Sequence, residues 1–230
     1  LIFAIGMRFD DRVTGDLSRY AKNAKIVHLD IDPSQLDKNV KTDVALIGDA
    51  KEILKTLIKK ANKNQHKKWL EQFRQLQLTE YQRVIQEDLS PRTDQLSMGE
   101  VIILLSGMQK DCILVTDVGQ HQMVASRYFG FKAKRSYITS GGLGTMGFAL
   151  PAAIGAQIGN RGKMIVAIIG DGGFQMTIQE LGTIAQEKIP IKMIVLNNGF
   201  LGMVRQWQEL LHDKRYAQTK MHNPDFIQIA

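Results

Sequence analysis

The chain has a single cysteine, Cys112, among 230 residues. One thiol excludes an intrachain disulfide framework and suits a reducing compartment such as the cytoplasm. At the start of a β-branched run, Cys112 is expected to be a small buried core residue rather than a nucleophile. No apolar run approaches the ~20 residues that a membrane-crossing helix needs, so no membrane partner is expected. There is no internal repeat and no low-complexity tract. Basic residues outnumber acidic ones, giving a net charge of +7 and a pI near 9.4. Most of that excess lies between Lys51 and Lys68, where lysines interleave with Ile53, Leu54, Leu57 and Ile58 at the spacing of one helix face. Basic residues do not interleave with aromatics near any loop, so nucleic acid is not expected as a partner either. The chain opens at Leu1, inside what reads as a strand, without initiator methionine or leader, and stops inside what reads as a helix start. It is expected to be a fragment of a longer polypeptide.

What is present is an ordinary globular balance, 44% hydrophobic and 23% charged. The pattern reads as an α/β fold of parallel sheets flanked by helices. Strands are expected at residues 1–5, 25–30, 44–47, 112–116, 137–139, 164–169 and 191–196. A loop and helix are expected over 11–23, and a lysine-rich helix after Gly48-Asp49. Residues 61–92 read as a linker of helical character. Ser97-Met-Gly-Glu100 fits a capping box, and further helices are expected up to Tyr128, over 148–158, over 174–188 and over 201–212.

Two motifs carry the chemistry. Gly170-Asp171-Gly172-Gly173 closes the β-branched run 164–169, and Asn197-Asn198 closes the run 191–196. Strand, helix and strand form a βαβ unit, whose right-handed crossover brings both motifs to the carboxyl edge of one sheet. A carboxylate from Asp171 and an amide oxygen from Asn198 suit a hard cation, which fills its remaining positions with phosphate and water. The glycines let backbone approach phosphate oxygens at a helix start. Gly142-x-Gly144-x-x-Gly147 also spells a dinucleotide fingerprint, but the segment before it, 134–140, is too polar for the buried strand such a site needs.

The order and spacing of Val118-Gly-Gln-His121, the glycine cluster 141–147, Gly-Asp-Gly-Gly, Asn197-Asn198 and Gly202-Met-Val-Arg-Gln-Trp207 resemble the large catalytic subunit of acetolactate synthase, a thiamine-diphosphate enzyme. Gly6-Met-Arg-Phe-Asp-Asp-Arg12 resembles a stretch of that family's central, flavin-contacting domain. The resemblance covers essentially the whole chain. It implies a central-domain part at 1–60, a linker at 61–92, and a diphosphate- and Mg²⁺-binding domain from 93 to 230, truncated at its C-terminus. By position, it implies Asp171, Asn198 and the main-chain oxygen of Phe200 as Mg²⁺ ligands. Gly119, Gln120, His121, Gly144, Gly170, Gly172 and Gly173 are implied as cofactor-binding. Met146 is implied as the apolar prop that holds thiamine diphosphate bent. Met203 and Trp207 are implied to line the pocket for the acceptor keto acid, and Arg12 to lie near the substrate channel. Gly6, Arg8, Asp30 and Asp49 are implied as contacts to flavin adenine dinucleotide (FAD). The family carries a longer acid at Asp30 and an acidic residue at Phe200; only the carbonyl of the latter needs to reach metal. The adjacent Asp10 and Asp11 read as polar loop.

The resemblance implies decarboxylation of pyruvate and condensation with a second pyruvate or with 2-oxobutyrate, the first common step of branched-chain amino-acid biosynthesis. It further implies a homodimer or tetramer, a small regulatory subunit, and a glutamate supplied by a separate N-terminal domain. A chain without that domain is expected to be inactive alone. Two other readings remain open from the residues: another thiamine-diphosphate enzyme, such as a catabolic acetolactate synthase or pyruvate oxidase, and a non-catalytic nucleotide-binding or partner-docking α/β module.

Overall fold

The computed structural model describes residues 1–90, 94–108 and 111–230. It divides into two compact units, Leu1–Leu70 and Glu71–Ala230.

The first unit holds three parallel strands, with helices between and after them. β1 (Ile2–Ile5) leads to the one-turn helix α1 (Asp11–Thr14), then β2 (Ile26–Asp30), β3 (Val44–Ile47) and α2 (Ala50–Lys60). The sheet order is β1-β2-β3, in parallel register from Ile2 opposite Ile26 to Asp30 opposite Ile47. Ala4, Phe9 and Ile26 form its small core. One expectation is corrected here. Of the helix expected over 11–23, only the first turn forms. Gly15 follows at φ 56, and the Asp16 carboxylate accepts from Ser18 N–H at 2.9 Å, which substitutes a turn for the next helical bonds. The lysine-rich helix expected after Gly48-Asp49 is α2. α2 stops at Lys60, His66 adopts φ 42 with its N–H on the Asn64 side chain, and a new helix, α3 (Lys67–Glu80), begins. The boundary between the two units falls inside α3.

The second unit continues through a π-helical turn at Tyr81–Ile85 into α4 (Gln86–Leu89). The stretch 61–92 is thus largely helical where described; Pro91 and Arg92, and the domain start at 93, lie outside the described residues. α5 (Met98–Met108) begins on the expected capping box: Ser97 N–H donates to Glu100 Oε2 at 2.7 Å, and Glu100 N–H to Ser97 Oγ at 3.1 Å. Then come β4 (Cys112–Thr116), α6 (Gln120–Tyr128), β5 (Tyr137–Thr139), α7 (Ala149–Gly159), β6 (Met164–Gly170), α8 (Asp171–Met176), α9 (Glu180–Gln186), β7 (Lys192–Leu196), α10 (Gly202–Leu211) and α11 (Phe226–Ile229). The crossover expected as one helix over 174–188 is therefore two. The break at Thr177 is tied outward, its Oγ1 donating to Gly147 O at 3.1 Å.

This sheet runs β5-β4-β6-β7, all parallel. Its central strands are buried on both faces, as a parallel sheet covered by helices requires. Ile113 and Val115 of β4, with Ile165, Ala167 and Ile169 of β6, face a cluster with Leu150, Ala153 and Phe174. Cys112, Leu114, Val166 and Ile168 face the other side, against Ile102, Ala125 and Phe129. Cys112 is a core residue, and burial pushes its thiol pKa up, which leaves it inert. The chain leaves β4 outward to β5 and returns to β6 on the opposite side of β4. That reversal puts a crevice beyond the carboxyl ends of β4 and β6, where ligands bind in such sheets.

Candidate functional site

The crevice is a small cleft, and the residues following β4, β6 and β7 meet there. Gln120, His121, Met146, Gly170, Asp171, Gly172, Gly173, Asn198, Phe200 and Met203, all chosen from sequence, line it, together with Met98, Val118, Leu201 and others.

Asp171 is the first residue of α8 and 2% exposed. Its Oδ1 accepts from Gly172 N–H at 2.9 Å, and its Oδ2 from Gly199 N–H at 2.8 Å and Asn223 Nδ2 at 2.7 Å. Asn198 is exposed, with its Oδ1 accepting from Phe200 N–H at 3.0 Å. Among the described residues no group of three or more His, Cys, Asp and Glu could hold a metal. One carboxylate and neutral oxygens instead fit a cation such as Mg²⁺ that is finished by phosphate and water.

His121 is 7% exposed, and its Nε2 is buried without a hydrogen-bond partner. The ring lies against two glycines: a Cβ at Gly119 or at Gly170 would stand 2.8 or 2.7 Å from its Cε1. Burial holds the imidazole pKa below its ordinary value, against the raising effect of the Asp117 and Asp171 charges. The residue is therefore a neutral donor or acceptor at the cleft, and its unpaired nitrogen suits a polar ligand. Gly172 is also closely packed: a Cβ there would meet Leu201 Cδ2 at 2.9 Å, so that side chain would have to shift. A cleft kept open by missing side chains and edged by an unpaired imidazole fits a diphosphate.

The other chosen residues fall elsewhere. Gly144, at φ 66, shapes the turn before Met146. The strand before this glycine cluster, β5, has only three residues, all half-buried, which does not suit a dinucleotide fingerprint. Met203 lines the cleft, whereas Trp207, one turn further along α10 and 49% exposed, lines a surface depression with Val204, Gln208, His212 and Arg215. Gly6, Arg8, Arg12, Asp30 and Asp49 belong to the first unit. Gly6 (φ 62) follows β1, Asp30 ends β2, and Asp49 lies two residues after β3, so these three gather at one carboxyl edge. Asp30 accepts from Asp32 N–H at 2.9 Å, and Asp49 caps α2 through Lys51 and Glu52 N–H. Arg8 pairs with Asp10 at 3.1 Å and Arg12 is exposed on α1.

Sequence reasoning assigned no role to three residues that the fold does use. Asp117 is wholly buried; its carboxylate accepts from Val118 N–H at 2.7 Å, Gly147 N–H at 2.9 Å and Ala149 N–H at 3.3 Å, tying the end of β4 to the start of α7. Asn223 reaches Asp171 from 52 residues away, and Gln175 donates to Asn223 Oδ1 at 2.8 Å. An aspartate directly after a buried strand was the one available signal for the first. Asn223, in Asn-Pro-Asp, reads only as a turn.

Comparison with known proteins gives this geometry a family. Residues 117–230 match the C-terminal TPP binding domain of thiamine pyrophosphate enzymes, and residues 1–57 match their central domain. The chain belongs to the thiamine pyrophosphate enzymes. Within that class its similarity to acetolactate synthase large subunits runs over its entire length. It is 44% identical to the acetolactate synthase large subunit of Corynebacterium glutamicum, matching 100% of this chain and 38% of that protein. It is 41% identical to the probable acetolactate synthase large subunit of Methanococcus aeolicus, over 100% of this chain and 41% of that protein. The isozyme 2 large subunit of Escherichia coli is also 41% identical, over 100% of this chain and 41% of its own length. The chain spans about two fifths of the length of the curated relatives it matches.

Proposed function

We propose that this chain is part of the catalytic subunit of an acetolactate synthase, which decarboxylates pyruvate and joins the two-carbon unit to a second pyruvate or to 2-oxobutyrate. The observation that carries the reading is the cleft in which Asp171, Asn198, Met146 and the unpaired Nε2 of His121 meet. Asp171, Asn198 and the Phe200 carbonyl would hold Mg²⁺, and Gln120, His121 and the backbone at Gly119, Gly172 and Gly173 would hold the diphosphate. Thiamine diphosphate, when bound, supplies the carbanion chemistry that cleaves the keto acid. The protein's share is position and dryness. Met146 and Met203 present apolar surface in the cleft, which excludes water from the reacting carbon and strengthens the polar contacts around it.

In the first unit, Gly6, Arg8, Asp30 and Asp49 are proposed to contact FAD, because three of them share the carboxyl edge of a parallel sheet. Arg12 is proposed to lie near the substrate channel and Trp207 to meet the acceptor. Assembly as a homodimer or tetramer, a regulatory subunit and a cytoplasmic location belong to the same proposal. Among the described residues no helix is long and apolar enough to cross a membrane. The domain limits proposed are 1–60, 61–92 and 93–230.

The test is calorimetric titration of thiamine diphosphate with Mg²⁺ into the intact polypeptide and its Asp171→Ala variant. Metal-dependent binding is expected in the first and not in the second. A folded wild-type protein that takes up no cofactor would sink the reading.

A further inference from the structure

We infer that Asn223 is a positioning residue that restricts Asp171 to binding a cation through one oxygen, and so sets the site's preference for a small octahedral ion. The inference rests on the reading of Asp171 as a metal ligand.

A carboxylate offers about four acceptor positions, two on each oxygen. At Asp171 three are filled. Gly199 N–H and Asn223 Nδ2 take both positions of Oδ2, at 2.8 and 2.7 Å, and Gly172 N–H takes one of Oδ1 at 2.9 Å. One position remains, on Oδ1. A cation bound there is held by a single carboxylate oxygen, as near-ideal octahedral Mg²⁺ accepts; a two-oxygen grip, common for the larger Ca²⁺, is blocked by the amide.

Asn223 is itself held on three sides. The same Nδ2 donates to Asn197 Oδ1 at 2.7 Å, and Gln175 Nε2 donates to its Oδ1 at 2.8 Å. The segment that carries it is stitched across the loop bearing Asn198. Leu201 N–H donates to Thr219 O at 2.8 Å, and Met221 N–H to Gly199 O at 2.9 Å, around the antiparallel bridge of Phe200 with Lys220. Further back, Arg205 of α10 lies between the rings of Phe200 and Tyr216, at 4.1 and 4.5 Å from their centroids. One amide thus ties together the ends of β6 and β7, the start of α8 and this strap. Outer partners of this kind orient a metal ligand without touching the metal.

The experiment titrates Mg²⁺ and, separately, Ca²⁺ into the intact polypeptide saturated with thiamine diphosphate, comparing wild type with Asn223→Ala. Mg²⁺ affinity is expected to fall about tenfold, and Ca²⁺ affinity to hold or rise, so the Mg²⁺/Ca²⁺ ratio drops. Affinities that stay unchanged, or that fall in parallel for both ions, would overturn the inference, the second outcome marking a merely structural role. If Asn223→Ala does not fold, Gln175→Ala decides, because it loosens Asn223 without touching Asp171. A drop in the ratio supports the inference and an unchanged ratio overturns it. A wild-type protein that binds no Mg²⁺ refutes the underlying reading of Asp171, and is distinguishable from either result with the variants.

Discussion

At the scale of single residues, the cleft depends on groups held in one chemical state by their surroundings. His121 is the clearest. Burial keeps its folded-state pKa below the ordinary 6.5, so the folded protein holds it neutral while the unfolded chain takes up a proton as pH falls through that value. Where the unfolded state binds more protons, stability rises with pH, and here it is lost as pH drops below about 6.5. His121→Gln, which cannot titrate, should flatten that part of the profile. Urea midpoints at pH 7.5 and 5.5 check it, and an equal drop in wild type and variant would show that His121 is not responsible.

At the scale of elements, the site is assembled by ties between strand ends and helix starts. Asp117 anchors the start of α7 and the turn carrying Met146 to the end of β4, with Gly173 packed against its carboxylate, where a Cβ would stand 2.8 Å from Cγ. Asp117→Ala leaves the buried Gly147 and Ala149 amides, and the half-buried Val118 amide, without that acceptor. One such orphan costs about 1–3 kcal/mol, and the variant should lose about 3 kcal/mol or more. Chemical unfolding measures this; a loss below about 1 kcal/mol, the low end for a single orphan, would mean water or another acceptor replaces the carboxylate.

For the whole molecule, the proposed reading asks for one group beyond those the cleft presents. Among the described residues, those lining it include one carboxylate (Asp171), two side-chain amides (Gln120 and Asn198), the His121 imidazole and three methionines, but no glutamate. The proposed chemistry moves protons on and off a bound cofactor, and the glutamate that the resemblance to acetolactate synthase implies for this step is not among the described lining residues. The 230-residue chain by itself is therefore expected to form no acetolactate from pyruvate with thiamine diphosphate and Mg²⁺ present, as read by colorimetric detection of acetoin after acid treatment. Product above a no-protein control would show that the chain is complete as a catalyst.

The amino-acid sequence alone determined the parallel α/β class, the strands β4 and β5 to the residue, the capping box of α5, and the meeting of Asp171 with Asn198. Each follows from local signals, namely β-branched runs, a Ser-x-x-Glu spacing, and glycine turns at strand ends whose crossover has one permitted hand. Only the tertiary structure decided the rest. The crossover after Asp171 is two helices, and the break at Thr177 is tied to Gly147 across 30 residues. The turn before α7 hangs on Asp117, and the Asp171 carboxylate is oriented from Asn223. Hydrogen bonds between residues 30 or 52 apart leave no periodicity in the chain, since their geometry exists only after the sheet has brought its strand ends together.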